Sequence, residues 1–251
     1  MPSTLEPGAL PDPGVGPEKD AELVQRMFDR VAPRYDLVNA LLSLGHDAHW
    51  RRAAVASIAP RPGQVLLDVA AGTGALAHAL AAAADDRATV VALDFSTAML
   101  AAGAARESRG VPRRSGLGWV AGDGLRLPLP DASVDAVTIA FGLRNLPDPA
   151  AGLAEFARVT RPGGRLAVLE FSRPTNRWFA RAYDAYLGTV LPAVAARFSS
   201  APAAYGYLAE SIRRWPDQAT LAGVIGDAGW ERVRWTDLTG GIVALHAGLR
   251  P

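Results

Sequence analysis

Leu67–Asp68–Val69–Ala70–Ala71–Gly72–Thr73–Gly74 runs straight into an alanine-rich stretch that ends near Ala84. The apolar residues Val65, Leu66, Leu67 and Val69 follow the break Pro60–Arg61–Pro62–Gly63, and this predicts a short buried strand over Gln64–Ala70. A strand, a glycine turn and a helix in that order make the ligand-binding corner of a doubly wound α/β sheet. The glycines let the backbone approach a ligand closely, and the start of the helix offers N–H groups to it.

The same alternation extends towards the C-terminus. Strands are expected over Ala88–Leu93, around Trp119–Val120 and over Val134–Ala140, with a helix from Ser96. A helix over Pro149–Thr160 leads through Pro162–Gly163–Gly164 into a strand over Arg165–Phe171. Strands alternating with helices indicate a parallel sheet covered on both faces. Residues 174–215 break the rhythm with Trp178, Phe179, Tyr183, Tyr186, Phe198, Tyr205, Tyr207 and Trp215 in a mostly helical context. A helix over Pro216–Ala228 and strands over Trp230–Thr236 and Gly241–His246 close the chain. Towards the N-terminus, residues 1–17 are rich in proline and read as a disordered leader. Leu23, Met27 and Val31 then mark one face of a helix over Asp20–Ala32, which Pro33 ends. A second helix is expected over Asp47–Ala59, with Asp47 as its N-cap.

Composition removes several classes of function. The chain has 251 residues, 49% of them hydrophobic, which is enough to bury a substantial core. Its 26 basic and 25 acidic residues leave a formal net charge of +1, so no nucleic-acid partner is expected. Cysteine is absent, which excludes thiolate metal sites and cysteine nucleophiles and suits a reducing cytoplasm. Lys19 is the only lysine and lies beside the proline-rich leader, so no lysine-dependent chemistry is expected in the folded body. No apolar run reaches the roughly 18 residues needed to span a bilayer. His46 and His49 flank Asp47 without a matching ligand set elsewhere, and no metal is expected.

Two ligands fit the glycine loop. Gly72-x-Gly74-x-x-Ala77 has the spacing of a dinucleotide fingerprint, and Asp94, followed by Phe95, ends the second strand where an acid binds ribose hydroxyls. The same parts suit S-adenosylmethionine (SAM), which has a ribose and no pyrophosphate. Three features favour SAM. Asp68 opens the loop with an acid, which suits an ammonium group and repels a pyrophosphate. A further acid follows the third strand in Gly122–Asp123–Gly124, placed to accept from an adenine amino group. The Tyr-x-x-x-Lys pair of a short-chain dehydrogenase has no lysine to form it, so a nicotinamide-dependent enzyme is the least favoured reading.

Five further segments stand in order along the chain: Phe28–Asn39 (FDRVAPRYDLVN) with Ser43–Asp47 (SLGHD) and Trp50–Arg51; Phe141–Asn145 (FGLRN); Arg158–Gly164 (RVTRPGG); Leu169–Pro174 (LEFSRP); and Leu238–His246 (LTGGIVALH). In these the chain resembles the menaquinone/ubiquinone C-methyltransferase family, its menaquinone members most, from about Val24 to Pro251. The resemblance implies a class I SAM-dependent methyltransferase fold. That is a Rossmann-like, doubly wound sheet of about seven strands, mostly parallel with an antiparallel last strand. One domain over 18–251 would carry an N-terminal helical lid (18–59) and a helical substrate cap (174–215). The implied reaction is methylation of a ring carbon on a polyprenylated hydroquinone, demethylmenaquinol to menaquinol, the closing step of menaquinone synthesis. A benzoquinol or another small aromatic acceptor stays open. SAM contacts carry over to Thr73, Asp94 and Asp123–Gly124, and the expected cofactor site adds Asp68, Ala70, Gly72, Gly74 and Phe95. Where the family usually has serine this chain has Ala140, so one hydroxyl contact to the cofactor is lost, worth about 1 kcal/mol.

Carbon is a poor nucleophile until the hydroquinol loses a hydroxyl proton and charge moves onto the ring. The site therefore needs a group that takes or relays that proton, or one that stabilises the oxyanion. Arg144 and Asn145, after the fourth strand, are the first candidates, with the guanidinium stabilising a phenolate and orienting a water. Tyr35, with Asp36 and Asn39, lies in the lid segment. Glu170 and His246 end core strands, where a structural role competes with a catalytic one. The aromatic insertion would supply the pocket for ring and prenyl tail, open towards the bilayer near Trp178–Val194. A cytoplasmic protein in transient contact with the inner face of the cell membrane follows from that substrate, and the sequence leaves room for a homodimer.

Overall fold

A computed structural model describes residues 43, 45–107, 111–190 and 202–251. The expected leader, the helix over Asp20–Ala32, Phe198, and the site candidates Tyr35, Asp36 and Asn39 lie outside the described residues. The strands are β1 (Val65–Val69), β2 (Thr89–Asp94), β3 (Leu117–Ala121), β4 (Val134–Ala140), β5 (Thr160–Phe171), β6 (Glu231–Leu238) and β7 (Val243–Leu249). They form one sheet in the order β3-β2-β1-β4-β5-β7-β6. β7 alone runs antiparallel, paired with β5 on one side and β6 on the other. The chain goes outward from β1 to β3, then returns to start β4 on the other side of β1, so the switch point lies between β1 and β4. The loops after those two strands meet there.

The described helices are α1 (Asp47–Ile58), α2 (Ala75–Ala83), α3 (Thr97–Glu107), α4 (Pro149–Val159), α5 (Arg177–Ala185), α6 (Pro202–Arg214) and α7 (Gln218–Asp227). Side chains alternate across the pleat, so Leu66 and Leu67 enter different layers. Leu66 packs with Trp50, Leu80, Leu169 and Val243 beneath α1 and α2. Leu67 packs with Ile139, Phe156, Val168, Ile225 and Trp230 beneath α4 and α7. Local chemistry sets the helix starts: Asp148 accepts from Ala151 N (2.9 Å) ahead of Pro149, and Asp217 accepts from Thr220 N (2.9 Å).

Four expectations change. α1, the closing part of the expected lid, is a layer of the core: Trp50, Ala54 and Ile58 recur every four residues and are buried. Trp50 Nε1 also donates to Thr239 Oγ1 (2.9 Å), tying α1 to the turn before β7. Asp47 is not the N-cap; that position is His46, and Asp47 sits in the first turn, paired with Arg51 at 2.7 Å. β5 begins at Thr160, ahead of Arg165, because Thr160 pairs with Val134 before the register shifts. His246 lies in the middle of β7, opposite Val168, and does not end its strand.

Candidate active site at the switch point

The loops after β1, β2, β3 and β4 enclose a cleft with about 880 Å³ of free space, its open mouth included. Ala70, Gly72, Asp94, Phe95, Asp123, Gly124 and Ala140 all line it, as do Phe141 and Asn145. These come from four strand ends that the sheet order brings side by side, as ligand binding at a switch point requires.

Asp94 braces the glycine loop. Its Oδ2 accepts from Gly72 N (2.7 Å) and its Oδ1 from Ser96 N (2.8 Å). A carboxylate oxygen accepts more than one hydrogen bond, so this bracing leaves Asp94 able to take ligand hydroxyls. Ser96 in turn caps α3 by accepting from Met99 N (3.1 Å). Asp123 is exposed at the rim and holds its own turn by accepting from Leu125 N (2.9 Å). The cleft wall therefore carries two carboxylates, and among the described residues lining it there is no arginine or lysine. That charge pattern fits a cationic donor such as SAM and disfavours a dianionic pyrophosphate.

Three residues expected at the cofactor stand behind the wall and not in it. Asp68 is buried, with Oδ1 accepting from Thr138 Oγ1 (2.6 Å) and no hydrogen-bond partner for Oδ2 among the described residues. Burial raises its pKa to about 7, against the opposing pull of the Thr138 hydroxyl. Thr73 is buried, and its Oγ1 accepts from Arg106 (3.2 Å). Gly74 caps α2 at φ +76°, and a Cβ there would come within 2.3 Å of the Trp119 ring. Its glycine is needed for helix–sheet contact as much as for any ligand.

The β4 turn holds the second half of the site. Phe141 adopts φ +57° and Ala70 φ +51°, left-handed values that cost a non-glycine residue about 1 kcal/mol or more. Between them Gly142 is obligatory, since a Cβ there would lie 2.4 Å from Ala70 Cβ. The Arg144 side chain holds this turn from behind. It is buried, donates to Phe141 O, pairs with Glu170 Oε1 at 2.7 Å, and places its guanidinium 5.0 Å from the centre of the Phe171 ring. Arg144 thus does not line this cleft. Asn145 does, and its Oδ1 accepts from the Tyr207 hydroxyl of α6 (3.2 Å).

Tyr207 and Glu170 are the partners the sequence did not assign. Spacing offers no link between Glu170 and Arg144, and Tyr207 is one aromatic among eight in residues 174–215. Tyr183 of α5 also faces Arg144, and burial raises its phenol pKa. His246, by contrast, is remote from the cleft; its Nε2 lies 2.9 Å from Gln218 O and burial lowers its pKa. Among the described residues, no three His, Asp or Glu side chains gather as a metal site would need.

Known proteins share this fold. Among solved structures, the cyclase SpnF superposes with TM-score 0.69 at 18% identity, over 95% of this chain and 98% of its own. A SAM-dependent methyltransferase from Aquifex aeolicus superposes with TM-score 0.58 at 19% identity, over 80% of this chain and 89% of its own. These likenesses show the fold alone, and a cyclase among them illustrates that the fold does not fix the chemistry. Sequence similarity goes further. The demethylmenaquinone methyltransferase of Mycobacterium tuberculosis is 57% identical over 234 residues, 93% of this chain and 95% of that one. The protein of the same name from Mycolicibacterium vanbaalenii is 57% identical over 233 residues, 93% of this chain and 97% of its own. A sequence profile of the ubiE/COQ5 methyltransferase family matches residues 16–250, and the chain, a SAM-dependent methyltransferase, belongs to that family.

Proposed function

We propose that the protein methylates a ring carbon of demethylmenaquinol, with SAM as methyl donor. The observation that carries this reading is a single cleft with Asp94 and Asp123 at one end and Phe141 and Asn145 at the other. The relatives that are 57% identical bear the name of that activity. SAM, when bound, supplies an electrophilic methyl group. Asp94 takes the ribose hydroxyls, Asp123 and Gly124 the adenine, and the amides of the Gly72 loop the amino-acid end. The site's own residues must then align acceptor and donor and exclude water, with reacting atoms about 3–3.5 Å apart.

The acceptor carbon gains nucleophilicity as its neighbouring hydroxyl releases a proton. Asn145, oriented by Tyr207, donates a hydrogen bond to the developing oxyanion, and water at the cleft mouth takes the proton. Arg144 is a positioning residue: through Phe141 and Glu170 it holds the turn on which Asn145 stands. The aromatic group of Phe171, Tyr183 and Tyr186, packed with Leu187 and Ile212, takes the apolar body of the acceptor. The test is turnover with labelled SAM against a panel of reduced naphthoquinols and benzoquinols, with the product read by mass spectrometry. Ring methylation of demethylnaphthoquinols is expected. Transfer to no quinol by protein that binds SAM normally would overturn the proposal.

A further inference from the structure

We propose that α5 docks the protein on an anionic lipid bilayer, with Trp178 entering the headgroup layer and Arg177 and Arg181 meeting lipid phosphates. The helix has one anchored side and one open side. Asn176 caps it by accepting from the amides of Trp178 (2.9 Å) and Phe179 (3.2 Å). Phe179 lies over Gly240, where an added Cβ would sit 2.8 Å from its ring, and Tyr183 packs towards Leu187 and Ile212. On the open side, Trp178 is 64% exposed, the most of any large apolar side chain described. The guanidinium carbons of Arg177 and Arg181 stand 4.8 and 5.1 Å from its ring centre.

The two guanidinium groups over its ring are a modest attraction in water, yet they leave most of the Trp178 side chain exposed. The same group suits a headgroup layer, where aromatic rings settle at the interface and cations pair with phosphate. Charge complementarity selects the occupant: Asp184 is the single acid of α5, against Arg177 and Arg181. α5 also follows the end of β5 at which Phe171 stands and contacts the turn before β7, at the strand-end edge of the sheet where the cleft opens. Under the acceptor proposed above, on which this last point rests, that edge would face the bilayer that dissolves the prenyl tail.

The test is flotation of the full chain with vesicles of phosphatidylcholine alone and of phosphatidylcholine mixed with phosphatidylglycerol. Binding to the anionic vesicles, weakened by salt, is expected, with little binding to the neutral ones. Each arginine near an anionic surface multiplies binding about fivefold, so the double charge reversal Arg177→Glu/Arg181→Glu should reduce it by at least about 25-fold. Trp178→Ala should weaken binding while keeping its salt dependence. Methyl transfer to a tail-less quinol and the circular dichroism spectrum should stay unchanged in these variants. Equal binding to both vesicles, binding to neither, or indifference to the charge reversal would overturn the proposal. Vesicle binding without transfer to any quinol would instead overturn the acceptor assignment and leave the docking surface standing.

Discussion

Consider removing one member of the Arg144–Glu170 pair. The side chains are 6% and 1% exposed and lie 2.7 Å apart, so neither charge can turn to water when the other is lost. Glu170→Met would leave the Arg144 cation with Phe141 O and the Phe171 ring. Arg144→Met would leave the Glu170 carboxylate with the amides of Phe171 (2.9 Å) and residue 144 (3.3 Å). Breaking a buried pair in this way costs about 3–5 kcal/mol, a large share of the roughly 5–15 kcal/mol that a domain has. At about 2–4 °C per kcal/mol for a chain of this size, melting should fall by roughly 6–20 °C. The double variant Arg144→Met/Glu170→Met replaces the pair with apolar groups of similar volume and should regain most of the loss. Urea unfolding of the four proteins, followed by circular dichroism, should therefore give a coupling of at least about 3 kcal/mol. Turnover should separate from stability: the double variant no longer fixes Phe141 O, and kcat should stay down by about 10²-fold. Additive single losses, or a double variant with full turnover, would refute the positioning role.

Three further outcomes are expected. Burial lifts the Asp68 pKa from 3.8 to about 7, so the folded state holds this proton more tightly than the unfolded chain, and stability drains as pH rises from about 4 to 7. Asp68→Asn should therefore gain on the order of 3–4 kcal/mol relative to wild type across that window in urea unfolding, and parallel pH profiles would count against a buried acid. Asp94→Asn removes the charge that braces Gly72 N and Ser96 N, and calorimetry should show SAM affinity about 10- to 100-fold weaker; an unchanged Kd would exclude Asp94 from the donor site. Gly142→Ala puts a methyl 2.4 Å from Ala70 Cβ, which must part the two loops at a cost of about 1–3 kcal/mol and weaken SAM binding with it; wild-type stability would mean that the loops do not touch.

Much of the fold could be read from local pattern because its central strands β1, β4 and β5 are largely buried on both faces. Val134–Ala140 is the observed β4, and the Gly72 loop lies at the switch point as its spacing indicated. The cleft wall was legible from the strand ends, which converge: Asp94 ends β2, and Asp123 and Asn145 follow β3 and β4. What escaped the reading were pairings of side chains far apart in the chain. Glu170 is 26 residues from Arg144, and Tyr207 is 62 from Asn145. Spacing carries no signal for such contacts; they exist because β5 adjoins β4 and because α6 lies against the β4 turn. In α1 the buried Trp50, Ala54 and Ile58 form a narrow stripe, a pattern that suits a helix packed on a sheet as well as a lid helix, so spacing does not tell the two apart.

The place of β7 has a bearing on how the chain acquires its shape during synthesis. β6 leaves the ribosome before β7 yet touches the sheet only through it, so until residues 243–249 emerge β5 and β6 both present naked hydrogen-bonding edges. The four strands β3, β2, β1 and β4 can join in parallel as they appear, whereas the remaining flank waits for one late hairpin partner to slip between two strands already made. A nascent polypeptide halted after Leu238 should be the stickiest intermediate on this route, prone to pairing with a neighbour's open flank and released from that hazard by the next dozen or so residues.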